Sequence, residues 1–202
     1  METLAPLTSK EDQIRESIIL AAQQLFQQYG LHKVTMEDIA RAMGKGKSSL
    51  YYYYKSKEEI FEAMLDREID HVLAKVAEAV AQATTAEEKL YTFCLTRFEE
   101  LGRKAALHSI LVGEVMRDME FVHHIRRQCR LREGELLKQI LTMNSIAAGR
   151  PGLSIADLDA VVFVVLGGLH GLDQEMIFNG HSTLLEPAIR ILSRALLAGL
   201  AA

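Results

Sequence analysis

Lys45, Lys47, Ser48, Ser49, Tyr51, Tyr52 and Tyr53 crowd into one short stretch of a segment that reads VTMEDIARAMGKGKSSLYYYYKSKEEIF from Val34 to Phe61. Ammonium groups, hydroxyls and phenols so placed can donate to phosphate oxygens and to base edges, which is the chemistry of docking a polyanion rather than of breaking bonds. Between Lys33 and Lys57 six cations (33, 41, 45, 47, 55, 57) face two acids, Glu37 and Asp38, a local surplus of four positive charges in a chain whose formal net charge is −4. A basic patch on an acidic protein marks where counterions can be released by phosphate.

Short helices must hold these side chains. Thr35 with Asp38 three positions on forms a capping box, Ile39, Ala40 and Met43 supply one apolar side, and Gly44 ends the helix with a left-handed cap. Gly46 permits a tight reversal into a second helix from Lys47 to Tyr54, whose Leu50 and Tyr54 face inward. Ser56, with Glu59 three residues later, caps the next helix from Lys57. This is the pattern of a helix-turn-helix, whose second helix enters a DNA major groove.

The segment resembles the DNA-binding domain of the tetracycline-repressor (TetR) family of bacterial regulators. The resemblance reaches upstream to Ile18, Ala21, Ala22, Leu25, Phe26 and Gly30, and covers roughly the first third of the chain. It implies that Lys47, Ser48 and Ser49 open the recognition helix and reach base edges, and that Tyr51, Tyr52 and Tyr53 contact phosphates or bases. It also implies that Thr35 donates to a phosphate and that Lys57 grips the DNA backbone from the start of the fourth helix. Lys45 departs from the family pattern, where a small apolar residue is usual, and is assigned an added phosphate contact; Gly46 stands where Ser or Thr is common.

A competing motif is weaker. Gly46-Lys47-Ser48 reproduces the end of a phosphate-binding loop, but its first glycine falls on Arg41 and an amphipathic run precedes it in place of an apolar strand. No nucleophile elbow, zinc-protease motif or dinucleotide fingerprint occurs, so neither an enzyme nor a cofactor is expected.

With 202 residues, 49% of them hydrophobic, and only three prolines, the chain can bury a substantial core. Cys94 and Cys129 are isolated and read as reduced core residues; Glu120, His123 and His124 read as solvated positions, and no metal is expected. The longest apolar run, Ala160 to Leu169, falls short of the roughly 20 residues of a membrane span, and no apolar leader opens the chain, so a cytoplasmic protein is expected.

From Glu58 onward the periodicity is helical throughout, giving an all-α fold; the resemblance implies a three-helix helix-turn-helix domain at 1–56 and a C-terminal ligand-binding and dimerisation domain at 57–202. Ile60, Met64, Ile69, Val72, Val76 and Val80 mark a long fourth helix ending near Ala83. Further helices follow around Leu90 to Leu101, Leu107 to Val115 and Val122 to Leu141, before a loop from Asn144 to Gly152. Val161 to Leu166 is apolar all round, which argues burial on every side. The resemblance implies that the last two helices pair across a two-fold axis, with Val161, Val165, Leu185, Ile189, Leu192 and Leu196 at the dimer interface. It places a small-molecule effector among the middle helices, where Arg97, Glu114, His71, Met116 and His170 are candidate ligands. Arg97 and Glu114 interrupt apolar faces, so they either pair with each other or contact the effector. The expected function is a dimeric, ligand-responsive repressor on a palindromic operator; the alternatives are a carrier with an inactive helix-turn-helix and a nucleotide hydrolase using Gly46-Lys47-Ser48.

Overall fold

The computed structural model describes residues 9–103, 119–147, 153–179 and 183–200. Helices α1 (Lys10–Tyr29), α2 (Met36–Ala42), α3 (Lys47–Tyr53), α4 (Lys57–Gln82), α5 (Ala86–Arg103), α6 (Met119–Ala147), α7 (Ile155–Asn179) and α8 (Leu185–Gly199) follow in order, with no strand among the described residues. The chain is all-α. It divides into two compact units, and the division on α4 falls between Glu68 and Ile69.

The first unit is built by caps and a small apolar core. Ser9 and Asp12 form a reciprocal capping box on α1, and Thr35 and Asp38 form one on α2. Gly44, at φ 64°, supplies the left-handed residue that ends α2. Ile18, Ala22 and Phe26 of α1 are buried with Ile39 of α2, Leu50 of α3 and Ile60, Phe61 and Met64 of α4. Phe26 meets Phe61 edge to face, their ring centroids 5.6 Å apart. Arg67 ties α4 to α1 by donating to Glu16 Oε1 and Gln23 Oε1, each at 2.6 Å.

The second unit has one continuous core. Val72, Val76 and Val80 of α4 join Phe93 and Phe98 of α5, Leu137 and Leu141 of α6, and Val162, Val165, Leu166 and Leu169 of α7. Gly134 lets α7 come close, since a Cβ there would stand 3.3 Å from Val162 Cγ1. On α8, Arg190 stacks over Tyr91 of α5 and Tyr91 donates to Glu186 at 2.8 Å.

Two expectations need correction here. α6 continues to Ala147, so residues 144–147, expected in a loop, are helical. α7 is not buried on every side: Phe163 and Val164 are 63% and 69% exposed, while Val162, Val165 and Leu166 face the core. An all-apolar stretch carries no moment from which its inward face can be read. By length and mean hydropathy (1.8) alone, Ile155–Asp173 is long and apolar enough to cross a membrane. The helix expected at Leu107 to Val115 lies outside the described residues.

Candidate nucleic-acid interface

α3 presents a polar face anchored at both ends. Leu50 and Tyr54 point into the core, leaving Ser48, Ser49, Tyr51 and Tyr52 exposed and Tyr53 half-buried. At the C-terminal end Arg15 donates from Nη1 to the Tyr53 carbonyl at 2.9 Å, with its guanidinium over the rings of Tyr53 and Tyr54. A guanidinium suits the free carbonyls of a helix C-terminus in both charge and hydrogen bonding. Arg15 carried no signal in the sequence, because its partner lies 38 positions away.

At the N-terminal end Lys47, the first residue of α3, pairs with Glu37 of α2 and lies 5.6 Å from the centroid of the Tyr51 ring. The ammonium of Lys47 is held above its ordinary pKa by the hydrogen bond to Glu37, and that same bond holds the Glu37 carboxyl below its own. Arg41 pairs with Asp38 at 3.7 Å. Among the described residues Lys33, Lys45 and Lys55 are exposed and make no ion pair.

Two expected phosphate contacts are already spent inside the protein. Lys57 Nζ donates to the carbonyls of Leu31, His32 and Val34 at 2.8, 3.0 and 3.0 Å, closing the connection between α1 and α2. An ammonium has three donors and all are used, so Lys57 is a clamp on the fold and not a free hand for DNA. Thr35 donates its hydroxyl to Asp38 Oδ2 at 2.6 Å and accepts from the Asp38 amide, which occupies it as a cap. Exchanging Lys57 for Met is expected to lower stability by about 1.5–3 kcal/mol, the range for hydrogen bonds to a charged group, read as a lower urea midpoint. An unchanged midpoint with a shallower salt dependence of DNA binding would return Lys57 to phosphate.

The expected effector residues divide. Arg97, buried and 2% exposed, donates from Nε to Glu133 Oε1 at 2.7 Å and grips both Asp173 oxygens through Nη1 and Nη2 at 2.9 and 2.7 Å. Its partners among the described residues are Glu133 and Asp173; Glu114 and Met116 lie outside the described residues. Glu133 Oε2 stands 3.2 Å from His170 Nε2 without an aligned hydrogen bond. Burial works to raise the Glu133 pKa, but the charge of Arg97 and the nearby His170 outweigh it, and the carboxyl titrates below its ordinary value. Arg97 and His170 thus meet through Glu133, whereas His71 is exposed on α4. Burial pushes the thiols of Cys94 and Cys129 up to about 12, which leaves both protonated at neutral pH.

The residues expected at a dimer interface differ in burial within the single chain. Val165 and Ile189 belong to the core of the second unit, Val161, Leu185 and Leu196 are half-buried, and only Leu192 is exposed. The open apolar stripes lie beside them. Ala160, Phe163, Val164, Gly167, Gly168 and Gly171 are exposed along α7, and Leu184, Ala188, Ile191, Leu192 and Ala195 run along α8 and its N-terminal cap, each set at helical spacing.

The phosphate-loop alternative fails on geometry. Arg41 sits within α2 where a glycine would be needed, and a helix rather than a strand leads into Gly46. No group of three or more metal-ligating side chains occurs among the described residues.

Residues 18–64 match the family model for bacterial regulatory proteins of the tetR family. The chain is 32% identical over 79 residues to the transcriptional activator FasR of Mycolicibacterium smegmatis, covering 39% of this chain and 36% of that protein. It is 27% identical over 143 residues to the repressor KstR2 of the same organism, covering 70% of each. The fold matches Salmonella enterica GusR with a TM-score of 0.70 at 21% identity, over 96% of this chain and all of the other. The first of these curated relatives is thus matched over about a third of its length, and the sign of control differs between the two. Residues 18–64 are thus a helix-turn-helix domain that matches the tetR family of bacterial regulatory proteins, followed by helices alone among the described residues.

Proposed function

We propose that the protein is a homodimeric, ligand-responsive transcriptional repressor that inserts α3 of each subunit into successive major grooves of a palindromic operator. The observation that carries this reading is the outward face of α3: Lys47, Ser48, Ser49, Tyr51 and Tyr52 are exposed, with the unpaired Lys33, Lys45 and Lys55 available to phosphate. Residues 1–56 do the DNA binding; 57–202 bind the effector and dimerise. Lys47, Ser48, Ser49 and one tyrosine read bases, and the remaining tyrosines with Lys45 fix register. Thr35 contributes through the cap it holds.

The exposed stripes of α7 and α8 support dimerisation, because monomers seldom leave so much contiguous apolar surface in water. Three exposed glycines, with nothing within 4 Å of a Cβ built on them, allow another helix to come close. A second copy covers this face in preference to lipid, and a partner that is chromosomal DNA puts the protein in the cytoplasm. The effector lies among α5, α6 and α7, and binds the DNA-incompetent arrangement more tightly than the competent one, which is what release requires. Arg97 does not hold an anionic effector, since Glu133 and Asp173 already neutralise it.

The test is a mobility shift on the DNA upstream of the protein's own gene at two salt concentrations. A salt-sensitive complex on one segment, weakened about 10- to 100-fold by Lys47→Ala, is expected from the loss of one direct base contact. Equal retention of every segment, or of none, would favour a carrier whose helix-turn-helix is inactive.

A further inference from the structure

One guanidinium serves two carboxylates in the second unit, which leaves a buried negative charge. Arg97 of α5 meets Glu133 of α6 through Nε and both oxygens of Asp173 on α7, and the Glu133 and Asp173 side chains are only 8% and 11% exposed. Neighbouring groups do not supply a balancing cation. The thiols of Cys94 and Cys129 are protonated at neutral pH, Glu100 one turn along α5 is paired with Arg103, and Arg132 on α6 pairs with Asp70. The deficit falls on one atom. Glu133 Oε2 is buried and accepts no hydrogen bond from any described residue, while Oε1 accepts from Arg97. His170 Nε2, 3.2 Å from Oε2, carries the missing charge only when protonated.

We propose that Glu133 Oε2 is the docking point of the effector, and that the effector is an amine or amidine whose cationic head takes the place of the His170 ring. This assignment rests on the effector site proposed above among α5, α6 and α7. A buried acceptor without a donor forfeits the solvation it had in water, and a surplus charge in a water-poor site costs more still. Burial opposes ionisation of Glu133, yet Arg97 and His170 hold its carboxyl below the ordinary value, so it stays charged at neutral pH. A water molecule could donate to Oε2 but would leave the charge unbalanced, whereas an ammonium or amidinium answers both needs. The way in is the imidazole. His170 is 31% exposed, more than any other member of the cluster, so turning its ring aside uncovers Oε2 without parting Arg97 from either carboxylate. An anionic head is repelled at the same point, because two carboxylates already share the one guanidinium.

The experiment uses the full chain without DNA and three probes built on one short alkyl group, n-butylammonium, n-butanol and butyrate, and reads the thermal midpoint as each concentration rises. Wild type is expected to bind n-butylammonium about 10-fold more tightly than n-butanol, the margin of a charge-assisted hydrogen bond, and to show no saturable response to butyrate. Glu133→Gln keeps an oxygen for Arg97 and removes the charge, so it should bring the ammonium down to the level of the alcohol. His170→Ala clears the ring from Oε2 and should tighten the ammonium about 5-fold, with butyrate still without effect. That variant alone decides the question if Glu133→Gln does not fold. Butyrate matching the ammonium, no response to any probe, a Glu133→Gln protein that still prefers the ammonium, or a His170→Ala protein that binds it no better overturns the assignment. The regulator reading fails separately, through a wild-type protein that prefers no duplex sequence.

Discussion

Replacing Arg97 with Leu is expected to destabilise the protein by about 3–5 kcal/mol, the cost of stranding buried carboxylates without their cation. Glu133 and Asp173 both lean on this one guanidinium, and Asp173 does so through two parallel hydrogen bonds. The loss should depend on pH, with opposite signs in the two proteins. In wild type the Glu133 carboxyl titrates below its ordinary value, so its contribution is present above that value and fades as the pH falls. In the variant the same buried carboxyl lacks Arg97 and burial raises its pKa, so the variant is penalised at neutral pH and recovers toward acid. Chemical denaturation at pH 7 and pH 5 measures both. A variant within about 1 kcal/mol of wild type at pH 7 would mean that the cluster is solvated and the buried pairing is wrong.

Charging the exposed stripe should have a comparable effect on assembly. Phe163→Glu or Ile191→Glu, at positions 63% and 70% exposed in the single chain, is expected to leave the subunit folded and to convert a dimer to a monomer. Affinity for a palindromic duplex should then fall about 100-fold or more, because the second half-site no longer binds within one complex. Sedimentation reads the first effect and anisotropy the second. The contrast with Val165 and Ile189 is what gives the test its force. Those two are core residues, so trimming either to Ala should lower stability without selectively dissociating the dimer. A Phe163→Glu protein that remains dimeric places the interface elsewhere.

These outcomes also mark where sequence reasoning reaches its limit. The helix-turn-helix was legible because its determinants are local: Thr35 and Asp38 are three residues apart, Gly44 has the φ that only glycine adopts easily, and Leu50 and Tyr54 stand one turn apart on the buried side. The same spacing logic placed α4 and the apolar helices after it. What it could not supply is pairing between distant elements. Arg97 was visible as a charge on an apolar face, yet its partners lie 36 and 76 positions away and no periodicity points to them. Lys57 was visible as a cation at a helix start, but three carbonyls in the preceding connection, not phosphate, take its donors. On α7 the helix was evident and its facing was not, since residues apolar on all sides give no phase, and only packing separates Val165 from Val164.

The most direct test of the account is to sequence the duplexes that wild-type protein retains from a randomised pool. The proposed DNA-reading dimer predicts enrichment of an inverted repeat whose half-sites are about one helical turn apart, or a multiple of it, with binding that weakens as salt rises. Recovery of a pool without sequence preference, or of a single unrepeated half-site, would contradict it.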